Sequence, residues 1–149
     1  MIVRCAAAVL ALLLPAAAMA ESVIVSQPWA RASIIASRPG AVYLAIESPK
    51  ADRLTGITTP VANEAMIHAV EEEQDGISRM VHVPALELPA GGRLRLEPGG
   101  THIMLTGLHA KLVEGESFPM TLTFEQAPEA TVAVPVLGIA AQRSDEAGQ

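Results

Sequence analysis

The chain has 149 residues, enough for one domain and little more. It carries ten basic residues against sixteen acidic ones, an excess of negative charge that excludes nucleic acid and anionic lipid surfaces as natural partners. Its one cysteine, Cys5, rules out an internal disulfide.

The first twenty residues read as an export signal: Arg4 supplies a positive start, Cys5 to Ala18 is an apolar run broken only by Pro15, and Ala18-Met19-Ala20 places small residues where a signal peptidase reads. The run is short of the roughly 20 apolar residues needed to span a bilayer, so cleavage after Ala20 and release into the periplasm are expected, with no stable membrane insertion. Cys5 stands at the start of the apolar run instead of at the cleavage site, which argues against a lipid anchor on it. Cleavage removes Arg4 and Cys5 together, leaving a mature chain of formal charge -7 with no thiol. Any soft metal ligand in it must then be methionine.

Residues 21 to 141 read as one domain of short strands. Proline and glycine recur at Pro28, Pro39-Gly40, Pro49, Pro60, Asp75-Gly76, Pro84, Pro89, Gly91-Gly92, Pro98-Gly99-Gly100, Gly115, Pro119 and Pro128, and no window between them suits a helix of about eleven residues. The stretches between these breaks are Ala41 to Glu47, Asp52 to Thr58, Glu64 to Glu71, Ile77 to Val83, Arg93 to Glu97, His102 to Gly107, Ser117 to Glu125 and Thr131 to Val136. Several alternate with the period of two of a half-buried strand, as in Met120-Thr121-Leu122-Thr123-Phe124. This spacing predicts an all-β antiparallel sandwich or barrel. Trp29 is expected in its core, and Met120 is expected to be packing. Residues 142 to 149 have no apolar pattern and read as a flexible tail.

Histidine and methionine carry the chemistry. His102 and Met104 stand two apart in a predicted strand, so both side chains leave one face while Ile103 and Leu105 leave the other. Pro98-Gly99 suits a type II turn that leads into this strand. His68 and Met80 flank the Asp75-Gly76 turn, and the register decides whether they meet. A two-residue loop makes partner numbers sum to 151 and puts the two on opposite faces. A three-residue loop, Gln74-Asp75-Gly76 with Gly76 left-handed, makes partners sum to 150, sets His68 opposite His82 and brings Met80 diagonally across on the same side, about 7 to 8 Å away. The second register is the expected one.

Two imidazoles and two thioethers suit Cu(I), because soft donors select the reduced ion and its closed d shell accepts tetrahedral geometry. No oxygen cage for Mg²⁺ or Ca²⁺ is evident, and zinc prefers thiolate, imidazole or carboxylate to thioether. A blue-copper electron carrier would need a cysteine thiolate, and no nucleophile-base or paired-acid arrangement stands out to suggest an enzyme. A metal-free β-sandwich interaction domain is the alternative that the strands alone permit.

This pattern resembles the periplasmic copper chaperones called PCu(A)C, whose motif is H(M)x10Mx21HxM. It reads here as His68, ten residues after Ala69, Met80, twenty-one residues, then His102-Ile103-Met104. The segments Leu88 to Gly92, Leu96 to Leu105, Gly107-Leu108, Phe118 to Glu125 and Pro28 to Arg31 look like the family as well. The resemblance implies a cupredoxin-like Greek-key β-sandwich that binds one Cu(I) per chain through His68, Met80, His102 and Met104. It also implies delivery toward the Cu(A) centre of cytochrome c oxidase, with the Cu(A)-bearing subunit and a Sco-type thiol protein as partners. Ala69 replaces an optional methionine, and Thr101 stands where an aromatic is common. Relatives with a tail rich in histidine and methionine bind Cu(II) there; Gln142 to Gln149 has neither residue, so no such second site is expected.

Four neighbours were weighed beside this set. His82 reads as an exposed strand histidine or a spare ligand, His109 as a solvated loop residue, Met66 as core before an apolar wall of the site, and Glu71-Glu72-Glu73 as solvated surface before a lure for a cation or basic partner. The export reading has a direct check: the intact mass of the exported protein should correspond to a chain beginning at Glu21, and a mass that retains residues 1 to 20 overturns it.

Overall fold

The computed structural model describes residues 22–72 and 75–146. The predicted export signal lies outside the described residues, as do Glu73 and Gln74 of the hairpin loop and the last three residues. Ten strands follow one another: β1 (Ile24–Arg31), β2 (Gly40–Ser48), β3 (Asp52–Thr58), β4 (Ala62–Glu72), β5 (Ser78–Val83), β6 (Leu86–Leu88), β7 (Gly92–Leu96), β8 (His102–Leu108), β9 (Ser117–Phe124) and β10 (Ala130–Leu137). A single 3-10 turn, Ser144–Glu146, is the one helical element among the described residues. No helix there is long and apolar enough to cross a membrane.

The strands form two layers. One runs β5-β4-β8-β2-β1 with β7 also pairing β2, the other β10-β9-β3-β6, and β1 and β10 join them into one continuous path. All pairings are antiparallel except that join, where Ala30 lies beside Val136 and Arg31 beside Leu137 in parallel. The all-β sandwich expected from the sequence is therefore the observed architecture, with one parallel contact that alternation could not reveal. β6, only three residues between Pro84 and Pro89, was also absent from the sequence reading.

Alternation explains why the layers close. Ile46, Leu54, Ile103, Leu105, Met120, Leu122, Val42 and Val134 are fully buried between the sheets. Met120 is packing, as expected. Trp29 is buried as expected, at 4% exposed, and belongs to a second, smaller core cluster with Tyr43, Leu137 and Ala141. A bulge between Ser26 and Trp29 interrupts the pairing of β1 with β2, with Gln27 at φ 53°. Trp29 then pairs with Tyr43, whose neighbours Val42 and Leu44 belong to the main core. Arg31 ties the chain after β10 to this region: its Nε donates to the Ala141 carbonyl at 2.8 Å and its Nη2 to Oε1 of Gln142, the first residue of the expected tail, at 3.0 Å.

The start of β3 is pinned by Asp52, 6% exposed. Its carboxylate accepts the backbone N–H of Arg53 (2.7 Å), Gln126 (3.0 Å) and Ala127 (2.9 Å), tying β3 to the turn after β9. Burial raises the pKa of this group, but the N–H groups of Arg53, Ala127, Gln126 and Glu125 together outweigh it and hold it below the ordinary carboxylate value. A depressed folded pKa adds stability above the unfolded value, lost as the pH falls through the folded one. Asp52→Asn should therefore cost about 1–3 kcal/mol at neutral pH by urea unfolding, with the gap to wild type narrowing below pH ~4. An unchanged midpoint at pH 7 would contradict the assignment.

Candidate metal centre

Register builds the site. β4 pairs β5 with Ile67 beside Val83, His68 beside His82 and Val70 beside Met80, so partner numbers sum to 150 as the bulged loop requires. Gly76 has φ 79°, the left-handed mark expected of it. On its other side β4 pairs β8, with His68 beside His102 and Met66 beside Met104. Residues directly opposite across a ladder share a face. His82, His68 and His102 thus form a row across three adjacent strands, and Met80, Met66 and Met104 leave the same face by the alternation of each strand.

That face is the outward one. Ile67, Ile103 and Leu105 point the other way into the core, the last two with no exposed surface. The four residues singled out by spacing are therefore brought to one patch on the open side of a sheet. The exposure of these four and of His82 is graded: Met80 is 51% exposed on the edge strand, His82 is exposed, His68 and Met104 are half-buried, and His102 is 9% exposed. The His68 ring centroid lies 6.1 Å from that of His102 and 5.8 Å from that of His82.

The two central imidazoles are prepared differently. His102 Nδ1 lies 2.9 Å from the Gly100 carbonyl oxygen, which can only accept, so Nδ1 carries a proton and, in the neutral ring, the lone pair is on Nε2. Gly99, with φ 83°, makes the Pro98-Gly99 turn that brings that carbonyl under the ring. His68 Nδ1 is buried with no hydrogen-bond partner. Burial pushes the His68 pKa below its ordinary value, and the neighbouring His102 and His82 rings push it further the same way. A neutral imidazole with an unsatisfied buried nitrogen is a ready cation ligand.

Sequence reasoning missed Tyr43. Its ring lies 6.4 Å from His102 and 4.5 Å from Trp29, with the Arg31 guanidinium 5.6 Å from its centroid. Burial raises its pKa against the pull of Arg31, so the hydroxyl stays protonated beside the site. Its parity with Ala41, which pairs Met104, was the only available signal. His109 is exposed but not simply solvated: it hydrogen-bonds the Pro60 carbonyl at 3.0 Å and the Asn63 side-chain amide at 2.9 Å. Met66 is half-buried on the outward face beside Met104, which is the position of the site-wall reading and not of the core one. Among the described residues, no three His, Cys, Asp or Glu side chains are grouped to hold an ion by themselves.

The model of the LpqE-like lipoprotein family matches residues 23–136. The chain belongs to that family. A Leifsonia xyli subsp. xyli protein named "Putative lipoprotein Lxx21020" is 31% identical over 119 residues, covering 78% of this chain and 70% of its own. Among solved structures, the apo PCuAC domain of PmoF2 superposes with a TM-score of 0.68 at 24% identity, covering 82% of this chain and 94% of that one, which establishes the shared fold. The solution structure of Cu(I)-loaded DR1885 from Deinococcus radiodurans is 31% identical, with a TM-score of 0.59 over 80% of this chain and 83% of that one. The fold is therefore the one found in PCuAC domains, the fold that the resemblance implied.

The tautomer at His102 can be read directly. Nitrogen-15 NMR of the imidazole rings at neutral pH should show His102 protonated at Nδ1, whereas protonation at Nε2 would break the link to Gly100.

Proposed function

We propose that this protein carries Cu(I) in the periplasm, one ion per chain, held by His68, Met80, His102 and Met104, and supplies it toward the Cu(A) centre of cytochrome c oxidase. The Cu(A)-bearing subunit and a Sco-type thiol protein are the partners this reading names. The observation that carries it is the buried, unpartnered Nδ1 of His68 in a ring directly opposite His102, whose own proton is committed to Gly100. Such a pair leaves neutral nitrogen lone pairs on one face.

The donor set selects the cargo. Two imidazoles with two thioethers favour the reduced, soft ion, and a chain whose only cysteine precedes the predicted cleavage point has no competing thiolate. A solved Cu(I) form of DR1885 and a solved copper-bound PCuAC domain of PmoF2 share this fold. Export is supported by family membership, since the relatives are described as lipoproteins. This chain's only cysteine, Cys5, stands at the start of the apolar run and ahead of the expected cleavage point, so on this reading the mature protein carries no lipid on cysteine.

The site's residues account for release as well as capture. Thioethers are neutral and weakly held, and Met80 stands at the exposed margin of the patch. An incoming thiolate would displace a methionine first and gain a bond to copper as the Cu–S(thioether) bond breaks. Copper stays Cu(I), and the two histidines hold it meanwhile.

Anaerobic Cu(I) competition titrations on wild type and Met104→Ala test the set. Wild type should bind one equivalent, and the variant should lose at least about tenfold in affinity, about 1.4 kcal/mol. Equal affinities would remove Met104 from the site. No 1:1 complex with wild type would leave the metal-free interaction domain as the surviving reading.

A further inference from the structure

The PCu(A)C spacing has no position for His82, yet His82 stands directly opposite His68 with its ring 5.8 Å away, nearly edge-on at 76°. The gap on the other side of His68, toward His102, is almost the same at 6.1 Å. His68 therefore faces two imidazole neighbours at equal reach, one at the rim and one at the centre. The three rings are not grouped to hold one ion together. An ion held by imidazoles here sits in one gap or in the other.

We propose that His82 is a transit ligand for copper: with Met80 it receives the ion at the sheet edge and passes it across His68 to His102. This rests on the Cu(I)-carrier reading above. β5 is the terminal strand of its sheet, so its outward side chains are the first that an approaching donor meets. Met80 and His82 are both exposed and, two residues apart on that strand, share its outward face. His68 is half-buried and His102 buried, so the row descends from solvent toward the covered end beside Tyr43. His68 is common to both gaps and never has to let go.

The chemistry balances without a co-reactant. The coordinate bond to His82 breaks as the bond to His102 forms, one neutral nitrogen donor replacing another on Cu(I), with no electron transferred. The reverse exchange opens the path out. Keeping most ligands fixed while one is exchanged avoids a bare ion in an apolar setting, whose cost would otherwise set the barrier.

The test uses the exported full chain under anaerobic conditions, with a chromogenic Cu(I) chelator read by stopped-flow and by equilibrium competition. His82→Ala should slow copper transfer to the chelator about tenfold or more while changing the equilibrium affinity by no more than about threefold. His82→Met, which restores a soft donor at the rim, should recover most of the lost rate. A transfer rate equal to wild type in His82→Ala overturns the proposal, and so does a failure of His82→Met to rescue. An affinity loss of about tenfold in His82→Ala would make His82 a resting ligand and overturn the transit role as well. These outcomes are distinct from failure of the carrier reading, which shows as no 1:1 complex with wild type or no loss of affinity in Met104→Ala.

Discussion

Two ladders meeting on β4 determine everything at the outward face. β4 pairs β5 in one register and β8 in another, and His68 is the residue at which both deliver a histidine. A slip of one residue on either side would turn a whole strand over, sending His102 and Met104, or Met80 and His82, into the core. The core prevents that slip. Ile67, Ile103 and Leu105 alternate with the outward histidines and methionines and are buried between the sheets, so a slipped strand would expose these aliphatic side chains and bury imidazole in their place. Each fully buried aliphatic side chain is worth about 1.5–3 kcal/mol, which makes the register a property of the hydrophobic core.

Much of this was legible because it follows from parity. Asp52 to Thr58 matches the strand bounds read from the sequence, and the sum of 150 across the hairpin follows from choosing where Gly76 could be left-handed. What was not legible depended on contacts remote in sequence. Asp52 gave no local sign of its role, since its partners Gln126 and Ala127 lie 74 and 75 residues away. The bulge in β1 and the parallel join of β1 to β10 put Trp29 in the outer cluster, and no pattern within a single strand encodes that choice.

The outer cluster also bears on the site. Trp29, Tyr43, Leu137 and Ala141 cover the end of the face beyond His102, and Arg31 fastens the chain after β10 over it through the Ala141 carbonyl. This cover limits water at His102 but not at Met80, so the patch has one closed and one open end. The asymmetry comes from strand order: β5 ends its sheet, whereas β8 is flanked by β4 and β2.

An outward-facing site differs from a buried one in what it asks of its ligands. In a core, a cation would need charge compensation or a heavy desolvation cost, and its ligands would exchange only when the fold opened. On an open sheet face, neutral imidazoles and thioethers can hold a soft ion without added charge, and one donor can be replaced while the fold stays closed. The cost falls on His68, whose Nδ1 is buried without a partner, an expense of about 1–3 kcal/mol for an unsatisfied polar group. A cation bound at this nitrogen would remove that penalty, so occupancy and the stability of the β5-β4-β8 face would rise together.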